Sequence, residues 1–331
     1  MSGSSVIRFR KEAPLFLEDF AQTPEMLRLR QVGMNCGCEY TAFPLFRGLN
    51  PYSRYQHSLS VARIVWDFSQ DPAQTLAALF HDIATPTFAH SVDFLFGDHL
   101  RQESTEAETE RIIRGSASIA RLLKEIRVPV EAVVDYHRYP IADNDSPRLS
   151  ADRLEYTLGN LANFGFCSRE EIQMLYDGII LGTNEDGEPE LCFADRALAC
   201  RFALAALRCS RVYVSPEDRY TMQMLAELLG RALKKGLLRE QDLYTTEPEV
   251  IRLLQRDKDF CVQWERFCAY REMICDETQA PQSERRVVFA KKRFIDPLVM
   301  GEGRISQLEA ELADEVRQFL SEPQTCWICA H

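Results

Sequence analysis

Two histidines and two aspartates, His57, the adjacent pair His81-Asp82 and Asp152, sit inside or at the end of apolar segments with helical spacing. Such groups are costly to bury singly, so their placement limits how these segments can pack. If they converge, two imidazoles and two carboxylates make a nitrogen and oxygen site suited to a divalent metal that activates water or polarises a phosphate.

The surrounding patterns are helical. Asp71-Pro72 places a capping acid before a proline at the first helical position, and Leu76, Leu79, Phe80 and Ile83 follow on one face. This helix is expected to end at Thr85-Pro86, with His81-Asp82 on its last turn. In QHSLSVARIVWDFSQ, Val61, Val65 and Phe68 form an inward stripe that His57 opens. Thr105 and Glu108 have capping-box spacing before TEAETERIIRG, and SIARLLKEI and VEAVVDYHRY read as further amphipathic helices. In ADRLEYTLGNLANF, Leu154, Leu158 and Leu161 share an apolar face. Asp152, Tyr156, Asn160 and Asn163 form a polar row beside it, the pattern of a lined cavity.

Two long helices fill 195–240, and RISQLEAELADEVRQFL is again helical. Between them, RRVVFAKKRFIDPLV alternates apolar and basic residues as one or two strands would. The expected fold class is mainly α, with additional C-terminal helices and one short β-hairpin. A first unit is expected over residues 1–245, its core about 50–165, with a mostly helical extension over 246–331.

A formal charge of -11 argues against broad nucleic-acid or anionic-membrane binding, so a polyanionic ligand must be met locally. No apolar run approaches membrane-spanning length, and the N-terminal segment is charged and amphipathic, which reads as a soluble, cytoplasmic protein. Eleven cysteines, an odd number set mostly in apolar helical patterns, read as reduced thiols.

Four strings, TPEMLRLRQVGMNCGCEYTAFP, RYQHSLSVARI, LFHDIATPTFAHSVD and ADRLEY, together resemble the HD superfamily of metal-dependent phosphohydrolases. Within it they are most similar to the deoxynucleoside triphosphate triphosphohydrolases of the dGTPase and SAM-and-HD-domain type. The resemblance spans roughly residues 23–275 and is strongest through residue 156. It implies an HD-domain helical fold, homo-oligomeric assembly, and His57, His81, Asp82 and Asp152 as ligands of Mn, Fe, Ni, Co or Zn, with Mg a poorer match. It also implies proton transfer by His90 with Asp93 orienting its ring, a catalytic role for Glu103, phosphate contacts from Arg54, Arg153 and Tyr156, and a sugar contact from Asn160.

The chain departs from that branch at three places. Thr85 and Gln102 stand where histidines are usual, and Met34-Asn35-Cys36 replaces a Gln-Leu-Gly string beside the nucleoside. The expected activity is removal of triphosphate from a deoxynucleoside triphosphate. The alternatives that these departures raise are hydrolysis of a nucleoside monophosphate or other small phosphate ester, and a catalytically silent nucleotide-binding protein. His137 reads as a helix-end residue or a ligand of a second metal, Cys326 and Cys329 with His331 as a frayed tail or a metal element, and Lys291-Lys292-Arg293 as a solvated strand edge in preference to an anion or nucleic-acid patch.

Overall fold

A computed structural model describes residues 5–97, 108–275, 285–324 and 328–331. Fifteen α-helices dominate these described residues, the longest being Arg196–Val212 and Pro216–Lys234. Among the described residues no helix is long and apolar enough to cross a membrane, and ten cysteines are free thiols. Cys326, like Glu103, Gln102 and Thr105, lies outside the described residues.

The helix caps follow from the sequence. The Asp71 carboxylate accepts the Ala73 and Gln74 N–H groups, which starts Pro72–Phe80. Ser53 and Gln56 form a reciprocal capping box at the head of Arg54–Ser69. These two helices pack along their length, and Arg54–Ser69 also packs on Ala151–Asn163. Val61, Val65, Leu154, Leu158 and Leu161 meet there in one core cluster. A second cluster joins Phe43 and Phe88 to Tyr220, Leu225, Trp264 and Phe267.

Three local expectations need correction. Pro72–Phe80 stops one residue short of His81, and His81-Asp82 lies on the turn that follows. VEAVVDYHRY is not a helix but two 3-10 turns, Val130–Ala132 and Tyr136–Arg138, because Asp135 turns its carboxylate onto the His137 N–H and offers the backbone a local alternative.

Of the described strands, only the short Leu298–Val299 falls in the segment expected to form them, and the hairpin lies elsewhere. Ile179–Thr183 and Pro189–Phe193 form an antiparallel hairpin, turned by Asn184, whose side-chain oxygen accepts the Asp186 and Glu188 N–H groups. Leu298–Val299 and Gly303–Arg304 extend that sheet, while most of 285–297 is extended chain without a ladder. Scattered bonds hold it: the Gln324 amide bonds both N and O of Ala290 at 2.7 Å, and the Arg286 backbone pairs with that of Ile328.

Glu247 ties the later helices to the earlier loops. Its carboxylate, buried at 2% exposure, accepts the Gly33 N–H at 2.8 Å, the Phe88 N–H at 3.2 Å and the Tyr40 hydroxyl at 2.7 Å. Glu39 lies beside it, and burial followed by the Glu247 charge raises the Glu39 pKa from 4.5 to about 7. The native state therefore holds more protons than the unfolded chain between these values. Stability falls as pH rises through that window and levels off above it. Glu39→Gln should remove a pH-dependent loss on the order of 1–3 kcal/mol, so thermal unfolding followed from about pH 5 to about pH 8 declines less in the variant. Parallel declines in both proteins would refute the assignment.

Candidate metal centre

Each metal-type residue is fixed by a helix end. His57 is in the first turn after the Ser53 capping box, and Asp152 is in the first turn of Ala151–Asn163, where the helix N-terminus favours a carboxylate. His81 follows Pro72–Phe80 and donates its Nδ1–H to the Ala78 carbonyl at 2.7 Å, satisfying one of that helix's open C-terminal acceptors. Beyond it, the Arg28 guanidinium donates to the carbonyls of Ile83 and Thr85 at 3.0 and 2.8 Å, which clamps the turn.

The four groups converge. His57 Nε2 lies 3.1 Å from His81 Nε2 and 2.9 Å from Asp152 Oδ1, and His81 Nε2 is 3.5 Å from the same oxygen. Asp82 Oδ2 stands 3.7 and 3.6 Å from the two ring nitrogens. Donors about 2.1 Å from a common ion lie about 3.0 Å apart at right angles and about 3.4 Å apart in a tetrahedron, so His57, His81 and Asp152 fit one divalent cation, while Asp82, engaged by Arg54 and Thr85, stands beside the two rings outside that three-residue group. Both Nδ1 atoms are committed, His57 Nδ1 donating to Glu155 at 2.5 Å, so the two Nε2 atoms face each other and would offer lone pairs to a cation once deprotonated.

The field around the cluster draws positive charge. Burial acts to lower the His57 pKa, but Glu155 and Asp152 outweigh it and lift it to about 10. His81 is raised against its burial by Asp82 and Asp152. Burial works in the other direction on Asp82, yet Arg54 at 2.9 Å and the two imidazoles hold it well below the usual carboxylate range. The Thr85 hydroxyl donates to the other Asp82 oxygen at 2.8 Å.

The cluster lines one wall of a cavity of about 680 Å³. His90, Arg153, Tyr156 and Asn160 line it as well. His90 Nδ1 is held by the buried Asp93 carboxylate at 2.8 Å, leaving Nε2 as the ring's other nitrogen. The two residues before His90, Phe88 and Ala89, have φ of 62° and 42°, conformations that cost on the order of 1–3 kcal/mol each. Glu247 holds the Phe88 N–H and so supports that strained turn.

Asn160 donates to the Tyr213 hydroxyl at 2.7 Å, while its buried Oδ1 has no partner among the described residues. Arg153 is already bound, to Asp143 at 2.5 Å and to the Asn144 carbonyl. Asn163 leaves the polar row and bonds Asn50. His137 stacks on Tyr136 at the cavity edge beside Asp135 and joins no metal-type group among the described residues.

Sequence reasoning missed Glu155, although it lies three residues after Asp152 and therefore one turn along the same helix. The Tyr52 hydroxyl also donates to it. Lys291 and Arg293, expected on a solvated strand edge, instead line the cavity. That placement depends on a chain crossing far from the site in sequence, which no local pattern signals.

Residues 54–158 match the family model of the HD domain. Protein YdhJ of Bacillus subtilis (strain 168), uncharacterized, is 25% identical over 209 residues, 62% of this chain and 62% of its own length. The metal-dependent phosphohydrolase cns2 of Cordyceps militaris is 26% identical over 210 residues, 61% of this chain and 54% of its own length. The chain thus spans less than two thirds of either relative. The crystal structure of a phosphohydrolase from Bacteroides thetaiotaomicron VPI-5482 superposes with a TM-score of 0.65 at 14% identity, covering 98% of this chain and 96% of that one. At that identity the likeness speaks for the fold alone.

If Glu155 fixes the His57 ring, Glu155→Gln should weaken divalent metal binding by about 10- to 100-fold, as other outer partners of ligating histidines do. Calorimetric titration with Mn²⁺ reads this directly, and an unchanged affinity would leave Glu155 as packing only.

Proposed function

We propose that this chain, whose residues 54–158 match the HD-domain model, belongs to the HD superfamily and acts as a metal-dependent phosphohydrolase of nucleotides. Its favoured substrate is a deoxynucleoside triphosphate, cleaved to nucleoside and triphosphate. The observation that carries this reading is the convergence of His57, His81 and Asp152, with Asp82 beside the two rings, on a cavity of about 680 Å³ that is also lined by His90 and Asn160. The Cordyceps relative, named a metal-dependent phosphohydrolase, supports the reaction class.

A divalent cation held by the four ligands would polarise a phosphoryl oxygen and lower the pKa of water. The remaining steps belong to the chain's own groups. His90, its Nδ1 fixed by Asp93, moves a proton at Nε2. The Tyr156 phenol, pushed up to about 12 mainly by burial, stays protonated and donates to a phosphate oxygen. The Asn160 Oδ1, without a partner among the described residues, accepts from a sugar hydroxyl. Met34, Phe46, Val212 and Met222 supply an apolar wall for a base.

A nucleoside monophosphate is the second reading. It is favoured by Thr85, which turns its hydroxyl onto Asp82 and offers no ring to the substrate where the related branch has a histidine.

The test is a nucleotide panel with the metal-loaded protein, products separated as triphosphate, pyrophosphate and phosphate. Triphosphate is expected, with turnover lost in Asp82→Ala. His90→Gln should lower kcat by about 100- to 10,000-fold while metal affinity changes less than about twofold. Tight nucleotide binding without any product, across the panel and several metals, would sink the enzymatic reading.

A further inference from the structure

Among the described residues four arginines line the cavity, and three of them are already neutralised. Arg54 is paired with Asp82 at 2.9 Å and Arg153 with Asp143 at 2.5 Å. Arg148 is held by the hairpin acids, Asp186 and, at 3.3 Å, Glu188. Arg293 is the fourth, and among the described residues no carboxylate engages it.

The backbone around Arg293 is anchored on both sides. Ala290 is bonded to the Gln324 amide, and the Asp296 N–H donates to the Pro147 carbonyl at 2.8 Å. Lys292 turns outward, donating to the carbonyls of Phe319 at 2.6 Å, Leu320 at 3.0 Å and Glu322 at the end of Ala310–Ser321. Lys292 is thereby tied to the end of that helix, while Lys291 and Arg293 on either side of it line the cavity. Arg293 stands close enough to Tyr156 for its charge to act on the phenol, along with Arg153 and against burial.

A phosphate reacting at the metal cluster has its counter-charges there. A second phosphate on the same substrate needs another cation, and a partnered guanidinium is a poor one because its own carboxylate repels the newcomer. We propose that Arg293 is the binding residue for a second, non-reacting phosphate, which makes the substrate a nucleoside di- or triphosphate and not a monophosphate. This rests on the phosphohydrolase reading and selects between its two substrate classes.

Inorganic tripolyphosphate and orthophosphate, titrated calorimetrically into the Mn²⁺-loaded full chain, separate the two ideas. Arg293→Gln should weaken tripolyphosphate about tenfold and orthophosphate less than about twofold, with Arg293→Lys between wild type and Arg293→Gln for tripolyphosphate. In turnover, KM for deoxynucleoside triphosphates should rise about tenfold at nearly constant kcat. Tripolyphosphate affinity that is absent in the wild type, or unchanged in Arg293→Gln, overturns the assignment whether or not turnover is seen. Equal weakening of both anions overturns the distal placement. Arg293-dependent tripolyphosphate binding in a protein that hydrolyses no phosphate ester supports Arg293 while removing the phosphohydrolase reading.

Discussion

Three carboxylates, Asp82, Asp152 and Glu155, surround two imidazoles, with Arg54 the one guanidinium in contact among the described residues. With both rings unprotonated, three negative charges against one positive leave two uncompensated, in a site where His57 is 1% exposed. Buried charge of that size must be neutralised. Two protons on the imidazoles would do it, which is what the raised His57 and His81 values describe. One divalent cation does it equally, and with both Nδ1 atoms committed elsewhere the two lone pairs are already aimed at it. The packing of Arg54–Ser69 on Ala151–Asn163 serves this balance as much as it serves the core, because it brings Glu155 to His57.

The rest of the fold holds the cavity against strain. Phe88 and Ala89 carry left-handed backbone without being glycine, and Gly33 passes so near Glu39 that a β-carbon there would collide with the carboxylate oxygen. Both loops meet at Glu247, whose Oε1 accepts an N–H from each. A residue far along the chain therefore supports the placement of His90, although its hydrogen bonds go to Gly33, Tyr40 and Phe88 and not to the histidine and aspartate cluster.

How much of this was legible in the sequence depended on distance along the chain. His57, His81 and Asp152 could be placed because each sits at a helix end marked by local signals, the Asp71-Pro72 start and the ADRLEY face among them. The cavity-side placement of Tyr156 and Asn160 followed from helical spacing, while their substrate contacts were implied only by the resemblance. Glu155 obeys the same spacing and was missed because its role lies in holding a ligand, not in being one. The 130–138 turns and the 179–193 hairpin were missed for a different reason: an Asx turn at Asp135 and a side-chain-braced turn at Asn184 outweighed weak propensities. Arg153 shows the limit most clearly. Its position beside Asp152 is a motif property, but its engagement by Asp143 depends on how the 143–150 loop closes.

That engagement bears on how an acidic protein holds a polyanion. The net charge of -11 opposes the approach of phosphate at long range. At physiological salt, however, charges are screened beyond about 8 Å, so the groups in contact dominate once the ligand is seated. In this cavity the hairpin acids and Asp143 have bound two of the four lining arginines, which removes them as indiscriminate anion binders. What remains among the described residues is the histidine and aspartate cluster, proposed to meet the reacting phosphate through its metal, and a guanidinium on the C-terminal segment that no carboxylate has claimed. An anion is then favoured only if it spans both, and selectivity follows from geometry where general attraction is absent.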